Sequence, residues 1–191
     1  MDVLISTIGL LLLWPLFIAI AILIKLDSSG PVFYAPERVG EYGKTFKMYK
    51  FRSMYVDAEQ RQSEVTTTDE KGNILYKSAE DPRITAVGKW LRRTSLDELP
   101  QLWNVLIGEM SLVGPRPEQP FLTQDYGKGE WQRVSVPPGI TGWWQVRGRS
   151  DLPLHLNIEH DIYYVYNYSL LLDLKILFLT LGVVLKGKGA Y

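Results

Sequence analysis

The middle of the chain is organised around residues 92–117, RRTSLDELPQLWNVLIGEMSLVGPRP. Apolar residues recur at helical spacing in residues 87–93 and again in residues 100–107. Two prolines separated by one residue stiffen the segment 114–117, because each proline fixes its own φ angle. The stretch therefore predicts two helices joined by a short connection, followed by a loop of restricted geometry.

The connection between these helices carries two adjacent carboxylates, Asp97 and Glu98. Ser95-Leu96-Asp97-Glu98 matches a capping box, in which Ser95 would be the N-cap and Glu98 the third helical residue. Pro100 argues against that register, because proline is tolerated best at the first position of a helix. In either register a helix N-terminus favours ionised carboxylates and would also attract a phosphate. The pair is therefore a candidate functional site or a helix cap, and local sequence leaves both open.

Basic residues flank the pair, with Arg92 before it and Arg116 after it. Arg116 stands between Pro115 and Pro117, which restrict its backbone. An arginine held in this way suits a bidentate contact with a phosphate, whereas the alternative is a rigid turn that happens to carry an arginine. Other charged residues that could join the site are Lys50 and Arg52 on one predicted strand, and Arg147, Arg149 and Asp161 near a glycine-rich turn.

The composition excludes several classes of protein. The 191 residues carry a formal net charge of +0, so electrostatic steering towards nucleic acid is not expected. There are no cysteines, and only His155 and His160 offer imidazole, so disulfides and a zinc site are not expected. Any metal would be a hard cation held by carboxylate and phosphate oxygens, with Mg²⁺ the first choice.

The chain starts with a nearly continuous apolar run at residues 3–24. A run of this length can cross a hydrocarbon core of about 30 Å as one helix. Pro15, near its middle, disfavours a regular helix and leaves two halves that are each too short to cross. A cleaved signal peptide fits poorly, because no basic residue precedes the run and no small-residue cleavage site follows it. A spanning helix and a re-entrant hairpin both remain open.

Charge near the first apolar run suggests which side of a membrane the rest of the chain occupies. Residues 25–52 carry six cations and three anions, a net +3 that favours the cytoplasmic side and anionic headgroups. An ordinary solvated surface is the alternative.

A second apolar segment lies at residues 169–185, where Asp173 and Lys175 interrupt it. Its uninterrupted part, 176–185, is too short to cross a bilayer and predicts a helix in the membrane interface or on the core. Tyrosine favours the headgroup level and also packs well in cores. Four tyrosines precede the segment, at Tyr163, Tyr164, Tyr166 and Tyr168.

The residues between the apolar ends contain no linker or repeat, which predicts one compact domain. Helices outnumber strands, so the predicted fold class is α+β, mainly helical with a few short strands. The individual predictions are a strand at 47–55, a short helix at 57–64, a hairpin at 66–76 turning at 71–73, and a helix at 154–166.

Taken together, these motifs resemble the bacterial sugar transferases, the monotopic phosphoglycosyl transferases that begin polysaccharide and glycoconjugate assembly. The resemblance covers nearly the whole chain, from the first apolar run to about Lys186. Its most specific parts, in order, are Lys50-Phe51-Arg52, Asp81-Pro82-Arg83-Ile84-Thr85, RRTSLDELPQ at 92–101, MSLVGPRP at 110–117, PGITG at 138–142, and Asp161-Ile162-Tyr163-Tyr164.

The resemblance implies transfer of a sugar phosphate from a UDP-sugar to a polyprenol phosphate such as undecaprenyl phosphate, with release of UMP. It implies that Asp97 is the nucleophile and binds Mg²⁺, and that Glu98 assists by handling a proton. A covalent intermediate of this kind splits one difficult exchange into two easier steps. The other polar active-site positions that it implies are Lys50, Arg92, Arg116, Arg149 and Asp161, with phosphate groups expected on Arg116 and Arg149.

The resemblance also implies a membrane arrangement. Residues 1–26 would form a re-entrant anchor bent at Pro15, and residues 27–191 a catalytic domain on the cytoplasmic face of the bacterial inner membrane, ending in an interfacial helix. The family often has serine before this proline, whereas this chain has Trp14, so the sharpness of the bend stays open. A homodimer is one further expectation.

Two other functions compete with the transferase hypothesis. A non-catalytic membrane organiser of a glycan assembly complex would bind partners without releasing a nucleotide, and a phosphodiesterase would release UMP without a lipid acceptor. The sequence encodes no signal for the identity of the sugar.

Overall fold

The structure is a computed structural model, and it describes residues 1–65, 67–68, 74–75, 81–124, 126–147 and 157–186. Six α-helices lie within this part of the chain. Their bounds are α1 Asp2–Asp27, α2 Ala86–Thr94, α3 Gln101–Leu106, α4 Trp143–Arg147, α5 Glu159–Asn167 and α6 Leu170–Lys186.

Eight short strands pair into four two-stranded sheets within the described residues. The β1–β4, β2–β3 and β5–β6 pairs are antiparallel, and the β7–β8 pair is parallel. The predicted α+β class, mainly helical with a few short strands, is confirmed. The strands are β1 Phe33–Tyr34, β2 Glu37–Val39, β3 Thr45–Lys47, β4 Lys50–Phe51, β5 Thr67–Thr68, β6 Ile74–Leu75, β7 Ser111–Val113 and β8 Gly139–Thr141.

The predicted strand at residues 47–55 is wrong as a single element. β3 pairs with β2 and β4 pairs with β1, so the two strands belong to different sheets. They are separated because Met48 donates its backbone N–H to the carbonyl of Pro36, while the N–H of Tyr49 turns to the side chain of Asn104. Side chains before and after this break therefore do not share one face.

The other local predictions have mixed outcomes. The hairpin at 66–76 is confirmed by the pairing of β5 with β6, although its turn at 71–73 lies outside the described residues. The helix at 57–64 is reduced to turns and a 3₁₀ helix at Gln62–Glu64. The helix at 154–166 is observed as α5, while residues 148–156 lie outside the described part.

Helix α1 runs from Asp2 to Asp27 and continues through Pro15. It is the one helix among the described residues that is long and apolar enough to cross a membrane. The secondary structure has no break at Pro15, and the re-entrant course expected for residues 1–26 stays a prediction.

Both halves of α1 pack on the rest of the domain. In the first half, Leu10 and Leu13 pack against a buried cluster that includes Leu102 and Val105 of α3. The second half contributes to another cluster, where Ile20 and Ile24 meet Phe51 of β4 and Leu91 of α2. The helix therefore lies along the domain for much of its length.

Large apolar side chains remain exposed on three helices. In α1, Leu11, Leu12 and Trp14 are more than half exposed, and Trp103 of α3 and Ile107, just after α3, are about half exposed. α6 adds its own set, which includes Leu171, Leu174, Phe178, Leu181 and Leu185. Exposed apolar surface on helices is typical of contact with a membrane or a partner protein, and the length and hydropathy of α1 favour a membrane.

Candidate functional site

The Asp97–Glu98 pair sits on a tight turn between α2 and α3. α2 ends at Ser95, which adopts a left-handed conformation with φ 57°, and a 3₁₀ turn follows at Leu96–Glu98. The side chain of Ser95 makes no capping hydrogen bond, and α3 begins just after Pro100. The capping-box alternative is therefore wrong, and the two carboxylates are left for other contacts.

Glu98 is held by two cations that come from distant parts of the chain. Its Oε1 accepts hydrogen bonds from Lys50 Nζ at 2.8 Å and from Arg116 Nη2 at 2.6 Å. Arg116 Nη1 also lies 3.4 Å from Oε2, so the arginine contacts both carboxylate oxygens of Glu98. Burial by itself raises the pKa of Glu98, but Arg116 and Lys50 outweigh it and hold this pKa well below its usual value. Glu98 is therefore ionised, and both of its carboxylate oxygens contact cations.

Asp97 lies in a contrasting environment. Its side chain is only 6% exposed, and no hydrogen bond from another described residue reaches its carboxylate. Burial raises the pKa of Asp97 and the Glu98 charge adds to this, while Lys50, Arg92 and Arg116 act in the opposite direction. A buried carboxylate that accepts no hydrogen bond from the described residues, with nearby cations that stabilise its charge, is suited to act as a nucleophile.

Lys50 reaches the site because its strand pairs with β1 and because Asn104 of α3 binds the backbone just before it. It pairs with Tyr34 in the β1–β4 ladder, and the neighbouring Tyr49 N–H donates to Asn104 Oδ1 at 3.0 Å. Asn104 Nδ2 in turn donates to the carbonyl of Lys47 at 2.8 Å and to Glu109 Oε2 at 2.7 Å. Burial lowers the pKa of Lys50, and the Glu98 charge opposes that change.

Arg116 is positioned by a buried ion pair beneath it. Arg133 donates from Nη2 to the backbone carbonyl of Arg116 at 2.6 Å, and it pairs with Asp161 Oδ2 through Nε at 3.1 Å and Nη2 at 2.5 Å. The side chains of Arg133 and Asp161 are 2% and 0% exposed. Burial lowers the pKa of Arg116, but Glu98 outweighs it and leaves this pKa raised.

The expected site residues do not all meet at the pair. Lys50 and Arg116 contact Glu98 directly, and Arg92, in the last turn of α2, acts on Asp97 through its charge. Asp161 contacts Arg133 instead of the pair and reaches Arg116 only through that arginine. Arg149 and His155 lie outside the described residues.

Two further arginines named from the sequence are directed elsewhere. Arg52 is 5% exposed and binds the carbonyls of Ser28, Ser29 and Pro31, so it anchors the segment after α1. Arg147 lies over the ring of Trp143. The placement of Arg52 in the site is wrong, because Arg52 follows the end of β4 and turns back towards α1.

Arg133 and Asn104 contribute to the site without any local sequence signal. Arg133 lies in a 3₁₀ helix, Glu130–Val134, with no phosphate-binding pattern around it. Asn104 is buried in α3 together with Gln101, Leu102 and Val105. A buried amide flanked by apolar residues at helical spacing is a weak hint of a structural role, and only the tertiary contacts identify the partner.

The donor set fits a hard cation with few protein ligands. No group of three or more acidic or histidine residues suited to a metal occurs among the described residues. Mg²⁺ is commonly held by one or two carboxylates together with the phosphates of a substrate. Asp97, whose carboxylate has no hydrogen-bond partner in the described part, is the residue that fits this role.

The exposed apolar side chains and the long apolar helix α1 are typical of a membrane-associated protein, and the cations beside Asp97 and Glu98 are typical of an anion-binding site. Residues 1–187 match the family model described as bacterial sugar transferase, and the chain belongs to that family.

Several named relatives extend over the whole chain. The galactosyl transferase CpsE of Streptococcus agalactiae is 42% identical over 191 residues, which cover all of this chain and 42% of the relative. The exopolysaccharide production protein ExoY of Sinorhizobium fredii is 40% identical over 194 residues, covering all of this chain and 86% of the relative. A UDP-glucose:undecaprenyl-phosphate glucose-1-phosphate transferase of Xanthomonas campestris is 43% identical over 199 residues, covering all of this chain and 39% of the relative. The chain thus spans about four tenths of the length of several relatives.

Proposed function

We propose that the protein transfers a sugar phosphate from a UDP-sugar to a polyprenol phosphate, such as undecaprenyl phosphate, at a membrane surface. The observation that carries this proposal is the contrast within the Asp97–Glu98 pair. One carboxylate is buried and accepts no hydrogen bond from the described residues, while its neighbour binds Lys50 and Arg116. Membership of the bacterial sugar transferase family and the names of relatives support the same reaction.

In the first step, a carboxylate oxygen of Asp97 attacks the phosphorus that bears the sugar. The anhydride bond to the other phosphorus breaks, UMP leaves, and an aspartyl phospho-sugar forms. In the second step, a phosphate oxygen of the polyprenol phosphate attacks the same phosphorus, and the Asp97 carboxylate is released. One phosphoric anhydride is thereby exchanged for another, and no external energy source is needed.

The cations around the pair would stabilise the transferring phosphate. Arg116 and Lys50 are already fixed by Glu98, so they cost little reorganisation when negative charge develops near them. Bound Mg²⁺, held by Asp97 and by substrate phosphates, would neutralise further charge. Arg92 adds positive charge from the end of α2.

Glu98 is better suited to hold these cations than to move a proton. Its pKa lies well below its usual value, because Arg116 and Lys50 overcome the effect of burial. A carboxylate with so low a pKa is a weak base near neutral pH. We therefore assign Glu98 the task of orienting Arg116 and Lys50, in place of the proton-handling role that the family resemblance implies.

We infer a monotopic arrangement, in which α1 enters and leaves the membrane by one face. The charge of Asp2, at the start of α1, acts on Tyr164 and Asp173, while Asp27, at the end of α1, accepts a hydrogen bond at 3.0 Å from the backbone N–H of Val87 in α2. Both ends of α1 are thus next to the same polar domain, an arrangement that a simple crossing of the bilayer would oppose. A catalytic domain on the cytoplasmic face of the bacterial inner membrane accords with this arrangement.

Intact-protein mass spectrometry tests the proposed reaction. Incubation with a UDP-sugar and Mg²⁺, without an acceptor, should add the mass of one sugar phosphate to the wild-type chain. Asp97→Asn should abolish both the adduct and turnover, because the amide is a far weaker nucleophile. Asp57→Asn, an exposed aspartate distant from Glu98 in sequence, is the matched control and should behave as wild type.

The competing functions give different results in the same assay. Near-normal turnover in Asp97→Asn would contradict the assignment of Asp97 as the nucleophile. UMP release without adduct or acceptor would indicate a phosphodiesterase, and the absence of UMP release with every donor would indicate a non-catalytic organiser. A panel of UDP-sugars in this assay would also identify the preferred sugar.

A further inference from the structure

Two cations outside the Asp97 site converge on one aromatic ring. Arg147 Cζ lies 4.3 Å from the centroid of the Trp143 ring, and Lys175 Nζ lies 5.6 Å from the same centroid. Tyr163 stacks on this ring with centroids 5.3 Å apart and an interplanar angle of 26°. Trp143 itself is buried, so the ring is a fixed platform that holds both cations close together.

Among the described residues, no carboxylate forms an ion pair with either cation. Arg147 and Lys175 are exposed, and neither forms an ion pair with another residue in the described part of the chain. Asp173, the acidic residue nearest to Lys175 along α6, accepts a hydrogen bond from Tyr164 at 2.7 Å. Two like charges held together without a counterion favour the binding of an anion.

The surroundings of Lys175 indicate what kind of anion this is. Its neighbours along α6 are Leu171, Leu174 and Phe178, which are 79%, 50% and 76% exposed. An anion bound here would have an exposed apolar surface beside it. Tryptophan and tyrosine side chains are also enriched at the headgroup level of membranes. These features together fit a phosphate that carries acyl chains better than they fit a free phosphate.

The two cations make contacts that differ from those at the Asp97–Glu98 pair. Arg147 and Lys175 lie over the Trp143 ring, whereas the ion pairs with Glu98 in the described part of the chain are made by Lys50 and Arg116. A lipid bound at Trp143 would therefore be one that does not react.

We propose that Arg147 and Lys175 bind the headgroup phosphate of an anionic phospholipid, with its acyl chains along Leu171, Leu174 and Phe178 of α6. The site is distinct from the one that handles the transferred phosphate, and it fixes the C-terminal helix at a defined depth in the membrane interface. This inference rests on the monotopic membrane arrangement that is part of the proposed function.

Lipid selectivity in nanodiscs tests the site directly. The full-length protein is placed in phosphatidylcholine nanodiscs that contain either spin-labelled phosphatidylglycerol or spin-labelled phosphatidylcholine, and the motionally restricted fraction is measured by electron paramagnetic resonance. The wild type should restrict phosphatidylglycerol preferentially. The double variant R147Q/K175Q should lose about a thirtyfold preference, because each basic residue near an anionic surface contributes about a factor of five.

A charge-matched control separates a built site from general attraction. The double variant K44Q/K128Q removes the same charge from two other exposed lysines and should keep the preference. R147K should also keep most of it, because a cation remains at the ring. Equal loss in both double variants, or no preference in the wild type, would overturn the proposal.

Two further arms identify the source of the phosphate. Millimolar inorganic phosphate should leave the lipid preference unchanged, and displacement of the lipid by inorganic phosphate would overturn the acyl-chain part of the site.

Turnover in neutral discs should have the same KM for polyprenyl phosphate in R147Q/K175Q as in the wild type. A raised KM would make the pair part of the acceptor site and overturn its separateness.

Failure of the proposed membrane seating gives a different result. The wild type would then not enter nanodiscs with either lipid, a result that overturns the seating and the lipid site together. Entry into the discs without headgroup preference overturns the lipid site alone.

Discussion

Asp97 and Glu98 are adjacent in sequence, yet their side chains have opposite electrostatic environments. Burial raises the pKa of Asp97, and the negative charge of Glu98 raises it further. The pKa of Glu98 is held well below its usual value, because Arg116 and Lys50 overcome the effect of burial. When the environments of two neighbouring carboxylates push their pKa values apart, the residues are suited to different roles.

The pH dependence of adduct formation should respond to each neighbour of Asp97 in a defined direction. Asp97 must be ionised to attack, so adduct formation is lost as pH falls through its pKa. Glu98→Gln removes a negative charge, lowers the pKa of Asp97 and should move the acid-side midpoint to lower pH. Lys50→Gln removes a positive charge and should move it to higher pH. The measurement is the rate of adduct formation against pH, and midpoints that shift in the same direction would contradict the assignment.

Arg133 stabilises the fold and positions Arg116, and the two effects can be separated. Arg133→Met leaves the Asp161 carboxylate buried without its partner, which should cost about 3–5 kcal/mol in the free energy of unfolding. Arg133→Met combined with Asp161→Leu should recover most of this loss, because an apolar pair can replace a buried ion pair. The carbonyl of Arg116 still lacks its donor, so KM for the UDP-sugar should stay raised. Urea unfolding and steady-state kinetics measure the two quantities, and full recovery of KM would argue against a positioning role.

At the scale of elements, the Arg116 loop is held against the β8 segment by close backbone contacts. β7 and β8 are parallel, with Ser111 opposite Gly139 and Val113 opposite Thr141. A Cβ atom on Gly142 would lie 2.1 Å from the carbonyl oxygen of Gly114, a distance that the backbone cannot accommodate without moving. Glycine is therefore required where these two loops meet.

Gly142→Ala should displace the loop that carries Arg116. We expect a loss of stability of about 1–3 kcal/mol, as for other overpacked sites, and a larger loss of activity, because the Glu98–Arg116 contact depends on the loop. Gly129→Ala is the matched control, since a Cβ there would have open space around it. Thermal unfolding and turnover of both variants check this, and equal behaviour of the two would contradict it.

At the scale of the whole molecule, α1 and the catalytic site are parts of one packed unit. Phe51 follows Lys50 in β4 and packs with Ile20 and Ile24 of α1. Leu102 lies on α3, just after the pair, and contacts the first half of α1. Helix α1 therefore supports both elements that supply the candidate site. In the membrane arrangement that we propose, this packing would keep Asp97 close to the membrane surface.

The topology of the whole chain can be tested by labelling, because the protein has no native cysteines. Single cysteines at Asp2 and at Tyr42 should react with a membrane-impermeant maleimide from the same side of sealed vesicles, because a monotopic helix keeps both positions on one face. Trp14→Cys should resist the reagent, since this exposed position lies in the apolar run. Labelling of Asp2→Cys and Tyr42→Cys from opposite sides would indicate that α1 crosses the bilayer.

The success of sequence-based prediction depended on how local each signal was. The helices α2 and α3 and the apolar α1 were predictable, because periodicity and run length are properties of neighbouring residues. The strand at 47–55 was not predictable, because residues outside the segment bind its backbone. The Met48 N–H donates to the carbonyl of Pro36, and the Tyr49 N–H donates to the side chain of Asn104. Arg52 was misplaced for the same reason, since its partners are carbonyls after α1.

The sequence alone determined that a carboxylate pair would lie beside a fixed arginine, close to an apolar membrane segment, and its motifs indicated the family. Only the tertiary structure decided how the pair divides its contacts. Lys50 and Arg116 are 48 and 18 residues from Glu98 along the chain, and both bind the same carboxylate oxygen. That convergence leaves Asp97 without a hydrogen-bond partner among the described residues. Hydrogen bonds and charge act over a few ångströms in space, so separation along the chain carries no information about which carboxylate they reach.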